Sequence, residues 1–119
     1  MRADPIDLST ATRTGRRSTG ERLREAVLAL AGGHGDVLLH SETAWASITF
    51  TGTRHRLRIA FEGDEAVAGG EELVAALPEH EFAIPRQLVA DAAVCGVESR
   101  LVPEVRMVVE CELLLLEDA

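Results

Sequence analysis

From Arg54 to Phe61 the chain alternates without a break: His55, Leu57, Ile59 and Phe61 take one side, and Arg54, Arg56, Arg58 and Ala60 the other. A period of two sends successive side chains to opposite faces of a pleated strand, so this stretch is committed to a sheet with one apolar and one wet face. Thr43 to Thr51 obeys the same rule, with Ala44, Ala46, Ile48 and Phe50 against Trp45, Ser47, Thr49 and Thr51. Between them Gly52-Thr53 fits a two-residue turn with glycine first. That turn predicts a hairpin with Ile48 opposite Leu57, Ala46 opposite Ile59, Thr49 opposite Arg56 and Ser47 opposite Arg58. A slip of one residue would put every side chain on the wrong face, so the match of faces sets the register.

Upstream, Ser18-x-x-Glu21 is a capping box, in which a hydroxyl and a carboxylate each satisfy a free N–H of a first helical turn. Leu23, Ala26, Val27 and Leu30 follow at helical spacing, and Gly32-Gly33 ends the helix. Val37 to His40 reads as a short strand before the hairpin. After Gly63 the pattern starts again. A helical stretch from about Asp64 to Leu77 carries Leu73, Val74 and Leu77, is stopped by Pro78, and contains Gly69-Gly70, a weak spot that marks a kink or a shorter helix starting at Gly70. Phe82 to Pro85, Leu88 to Val97 and Val105 to Leu116 then read as strands. The halves can be superposed: Glu25 to Leu30 matches Glu72 to Leu77, His34 matches His80, and Arg56-Leu57-x-Ile59 matches Arg106-Met107-x-Val109. The expected fold is α+β: two α-β-β-β units in a pseudo-twofold repeat, an antiparallel curved sheet with two helices on one face.

At 119 residues the chain is one domain's worth, expected over residues 18–119, behind a mobile N-terminal tail over 1–17 that lacks periodicity. The net charge is −8, but the tail holds four arginines against two aspartates, leaving eight arginines against 18 acids for the rest. A surface of that sign repels nucleic acid and anionic membranes unless a local patch binds them. No apolar run approaches a membrane span and no signal segment begins the chain, so a cytoplasmic location is expected. Cys95 and Cys111 fit neither a disulfide framework nor a zinc pattern and are expected as free thiols.

Carrying the first hairpin's register to the second predicts Val94 opposite Met107, Ala92 opposite Val109, Ala90 opposite Cys111 and Cys95 opposite Arg106. Outward, it sets Asp91 opposite Glu110 and Val89 opposite Glu112. The first hairpin then shows a basic outer face, Arg54, Arg56 and Arg58 with Trp45 diagonal to Arg58, and the second an acidic one. Three uses compete for the stripe: ordinary pairing with nearby carboxylates, a protein interface anchored by Trp45, and single-stranded nucleic acid with Trp45 stacked on a base. Leu113 to Leu116 are apolar on both faces of the last strand, so Leu114 and Leu116 need cover from a partner or from the chain itself.

Chemistry is thinly supported. Asp91 and Glu110, if opposed, could supply a general acid and base. His34, Asp36 and His80, at matching corners, could share a metal or small ligand, although helix C-terminal histidines more often bond to the last carbonyls. The loop Gly32-Gly33-x-Gly35 follows a helix, the wrong order for a phosphate cradle. The preferred expectation is a non-catalytic interaction or oligomerisation module without cofactor or metal. It is homo-oligomeric and acts through Trp45, Arg54, Arg56, Arg58, Glu110, Glu112, Leu114 and Leu116. The alternatives are a small enzyme or metal- or ligand-binding protein using the His34/His80 corners or the Asp91/Glu110 pair, and a single-strand binder using Trp45 and the arginines.

Overall fold

The computed structural model describes residues 17–118, so the expected tail lies outside the described residues apart from Arg17. The elements are α1 (Thr19–Leu30), β1 (Asp36–Ala46), β2 (Thr51–Glu62), α2 (Asp64–Ala76), a 3-10 turn (Leu77–Glu79), β3 (Gln87–Arg100) and β4 (Arg106–Glu117). The four strands form one sheet in the order β1-β2-β4-β3, with every neighbouring pair antiparallel. The α+β class is as expected. The three-strand units are corrected: each half supplies a helix and two strands. Val37–His40 and Thr43–Ala46 fuse into β1, and the Phe82–Pro85 stretch contributes only an isolated bridge between Ile84 and Gln87.

Helix α1 begins where the sequence predicts, because Ser18 accepts from the Glu21 N–H at 3.1 Å and the Glu21 carboxylate accepts from the Ser18 N–H at 3.0 Å. Its Leu23 and Val27 are wholly buried. The first hairpin turns elsewhere than expected. Ser47 closes it: its backbone N–H donates to the Phe50 carbonyl at 2.8 Å, and its hydroxyl accepts from the Phe50 N–H at 3.1 Å and the Thr49 N–H at 3.3 Å. A serine that satisfies the backbone of its own turn outcompetes the Gly52-Thr53 alternative. Ala46 therefore meets Thr51, and Leu57 meets His40 rather than Ile48. Ile48 is left at the tip, fully exposed. The shift is even, so β2 keeps its predicted faces, with His55, Leu57, Ile59 and Phe61 all buried.

The second hairpin is also corrected. Val94 faces Cys111 and Ala92 faces Leu113, with bulges between Val89 and Asp91 and between Val94 and Gly96. Cys95 sits in the second bulge, not opposite Arg106, which instead meets Arg100. Both thiols are free, and burial with a nearby Cys95 pushes the Cys111 thiol up to about 12, so it stays protonated.

One core lies between the helices and one sheet face. It joins Leu23, Val27 and Ala31 of the first helical segment to Leu73 and Leu77 of the second, over Leu57, Ile59, Phe61, Val109, Cys111, Leu113 and Leu115. Gly69-Gly70 does not break α2, which runs through both. Both glycines are buried contact points: a Cβ on Gly69 would overlap the Ala31 carbonyl oxygen, and one on Gly70 would lie 2.8 Å from Phe61 Cδ2. The pair lets α2 approach α1 and the sheet.

Candidate functional site

Neither helix covers the outer face of the sheet, and the register lays it out in rows. Trp45, Gly52, Leu116 and Leu88 form one row across all four strands. Next come Thr43, Arg54, Leu114 and Asp91, then Ser41, Arg56, Glu112 and Ala93, then Leu39, Arg58, Glu110 and Gly96. Trp45 is thus diagonal to Arg54, not to Arg58. The face has an apolar end beside the first hairpin tip and a charged belt across its middle.

That belt is paired within the chain. Glu112 receives Arg56 at 2.9 Å and Arg54 at 3.3 Å, and Glu110 lies 3.6 Å from Arg58 Nε. The last distance is too long for a hydrogen bond, and Arg58 Nε is a buried donor without a partner. The adjacency of β2 and β4 puts the basic and acidic stripes side by side, so any phosphate or partner carboxylate at Arg54 or Arg56 has to displace Glu112. The Arg56 hydrogen bond, aided by Arg54, holds the Glu112 carboxyl below its ordinary value. A depressed carboxylate stabilises the fold above its unfolded pKa and loses that contribution as pH falls through its folded midpoint. An NMR carboxyl titration is expected to place Glu112 below a free glutamate, and Arg56→Gln to move the midpoint upward.

Leu114 and Leu116 are only 9% and 6% exposed. The cover that the sequence demanded comes from the chain itself, because β4 is a central strand with neighbours on both sides. Apolar surface is open around them: Leu88 at 53%, Phe50 at 47%, and Ile48 at the tip.

The expected chemical sites do not assemble. Asp91 faces Leu114 and Glu110 faces Gly96, so no carboxylate pair forms. His34, Asp36 and His80 do not gather as a ligand set; His80 instead stands edge-on to Phe82, with ring centres 4.6 Å apart. Among the described residues the cluster that does form is His40, Glu42 and His55. His40 and Glu42 project from the edge strand β1 beneath α1, and His55 is a buried inward residue of β2, 2% exposed. The Arg24 guanidinium donates to His40 Nδ1 at 2.7 Å, and His40 Nε2 lies 2.8 Å from His55 Nδ1. Arginine can only donate, so His40 Nδ1 is an acceptor, Nε2 carries the proton, and that proton points at His55 Nδ1. That pattern of donors and acceptors is the one two neutral imidazoles make. Burial, with the neighbouring positive groups, lowers the His40 pKa, and burial lowers that of His55.

This arrangement opposes a metal centre. A metal-bound histidine donates its second N–H to an acceptor, whereas His40 meets a guanidinium there. Neither His40 nor His55 is among the residues that the sequence singles out as a site. The available signal was an inward-facing imidazole on β2 among aliphatics, which needs a polar partner from the next strand.

None of the described helices is long and apolar enough to cross a membrane. No protein-family model matches the chain, and no curated protein sequence is matched either. Among solved structures it is similar in fold to a chain from the virion of a native gene transfer agent particle, with a TM-score of 0.57 and 15% identity over 82% of this chain and 91% of that one.

Proposed function

We propose that this chain is a non-catalytic assembly module that joins copies of itself through the hairpin end of the outer sheet face. One observation carries the reading: the row Trp45, Gly52, Leu116 and Leu88 crosses all four strands uncovered by a helix and continues into a tip where Ile48 is fully exposed and Phe50 half exposed. A partly buried tryptophan in one row with Leu116 and Leu88, bordered by charge, is the composition of an interface centre. Arg54 and Arg56, both paired with Glu112 within the chain, form a polar rim and leave affinity to the apolar end. Support of a weaker kind comes from the fold neighbour, which belongs to a virion. The order helix-strand-strand, run twice with β2 beside β4, supports a pseudo-twofold relation between the halves as part of the same proposal.

Ile48 has no contacts to lose and Phe50 is half buried, so Ile48→Ser with Phe50→Ser is expected to cost about 1 kcal/mol and to leave the fold intact. Light scattering after size exclusion then reads assembly directly. The parent is expected to exceed monomer mass in a concentration-dependent way, and the double variant to need at least tenfold more protein for the same mass. A parent that stays monomeric at every concentration overturns self-assembly.

A further inference from the structure

We infer that the Arg24–His40–His55 chain is an acid-operated catch that fastens α1 and the edge strand β1 to the body of the sheet. Three elements meet in it, each giving one side chain: Arg24 from α1, His40 from β1 and His55 from β2. The chain of bonds has a single permitted direction. An Arg24 N–H donates a hydrogen bond to His40 Nδ1, and the His40 Nε2–H donates one to His55 Nδ1. Adding a proton to His55 Nδ1 sets two N–H groups head to head at a spacing of 2.8 Å. Adding one to His40 Nδ1 points an N–H at the guanidinium 2.7 Å away. Either event exchanges a hydrogen bond for a clash of two N–H donors and adds a positive charge to a buried site that already faces Arg24.

The surroundings decide how easily this happens. From α1 the site faces the Arg24 charge, and Gly20 also packs close: a Cβ on it would lie 3.0 Å from Glu42 Oε2 and 3.3 Å from His40 Cε1. From β1 it faces Glu42, whose carboxylate is 4.0 Å from His40 Nε2 and favours protonation, but whose side chain is 55% exposed and so is screened by solvent. On β4, Leu113 stands opposite His55 and cannot ionise, and the thiol of Cys111 beyond it stays neutral. Burial and Arg24 therefore outweigh Glu42 at His40, and burial outweighs it at His55.

The sign follows. With both folded pKa values below the unfolded 6.5, the closed and open forms bind equal protons well above that pH. Below it the open form takes up protons first, and the closed form loses stability as pH falls toward the folded midpoints. Each extra proton shifts the opening equilibrium about tenfold per pH unit, so two give at most about a hundredfold.

Opening falls on α1 and β1 because β1 is an edge strand hydrogen-bonded on one side only, whereas β4 is paired on both. Hydrogen exchange on the full chain, corrected for intrinsic rates, tests this between pH 7.5 and 5.0. Amides of β1 and the first turns of α1 are expected to lose protection tenfold or more while those of β4 lose much less. Imidazole nitrogen shifts at pH 7.5 are expected to show both rings neutral, with the proton on Nε2 of each. His40→Gln is expected to flatten the pH response, and the wild-type exchange profile decides alone should that variant not fold. Protection unchanged at pH 5.0, loss spread evenly over the sheet, or stoichiometric Zn²⁺ uptake that shifts both imidazoles would each overturn the catch.

Discussion

Gly69→Ala is expected to destabilise the chain, although alanine is the better helix former. In a helix interior the exchange gains about 1 kcal/mol from propensity. Here the new methyl overlaps the Ala31 carbonyl oxygen, and His34 Cδ2 lies 3.3 Å from the same point. Backbone cannot rotate aside as a side chain can. The end of α1, where that carbonyl also accepts the His34 N–H at 3.3 Å, has to move away from α2. Overpacking of this kind costs about 1–3 kcal/mol and more where backbone must shift, so the net expectation is a loss of about 1–2 kcal/mol after the helical gain. Urea unfolding at fixed pH reads it as a lower midpoint with an unchanged slope. A variant more stable than the parent would mean that the two helices stand further apart than this packing requires.

The same two glycines show where sequence reasoning stops. Helix propensity sees Gly69-Gly70 as a weak point, and only the third dimension shows α1 and Phe61 pressed against it. Features encoded within a few residues were legible. The Ser18–Glu21 capping box, the buried face of α1 and the two-faced pattern of β2 all stand as read. Features set by competition between distant segments were not. The turn at Ser47 prevailed over Gly52-Thr53 because a hydroxyl satisfies two amides of the loop, and because Gly52 is needed elsewhere: a Cβ there would overlap the Leu115 carbonyl oxygen of β4. Two bulges in β3 then displaced Asp91 from Glu110. With the register went the two-carboxylate site, while the histidine pair, fifteen residues apart in sequence, came together across a hairpin whose turn had been misplaced. The outer face kept its residue types but changed its neighbours, so of the uses the sequence left open for the stripe, pairing with nearby carboxylates is met within the chain, by Glu112 of the adjacent strand.

A pair of adjacent truncations separates the two meanings of an apolar β4. Leu113 is fully buried in the core beneath the helices, while Leu114 points to the outer face at 9% exposure. Leu113→Ala is expected to cost about 3–4 kcal/mol, the upper middle of the range for a rigid cavity. Leu114→Ala is expected to cost about 2 kcal/mol, nearer the lower end, because the residues opposite it are Arg54 and Asp91, flexible and partly solvated, which can settle into the space. Both costs should be the same at low and high protein concentration, since the cover over Leu114 comes from its own chain. Denaturation followed at two concentrations tenfold or more apart checks this. If Leu114→Ala were neutral in the dilute chain and weakened only the assembled form, the central outer face would itself be the interface. Assembly would then extend from the hairpin end into the arginine–glutamate belt, whose intrachain pairs a partner would have to displace. Equal costs at both concentrations would confine it to Trp45, Leu88 and the tip, where the sheet leaves apolar surface that the chain does not cover.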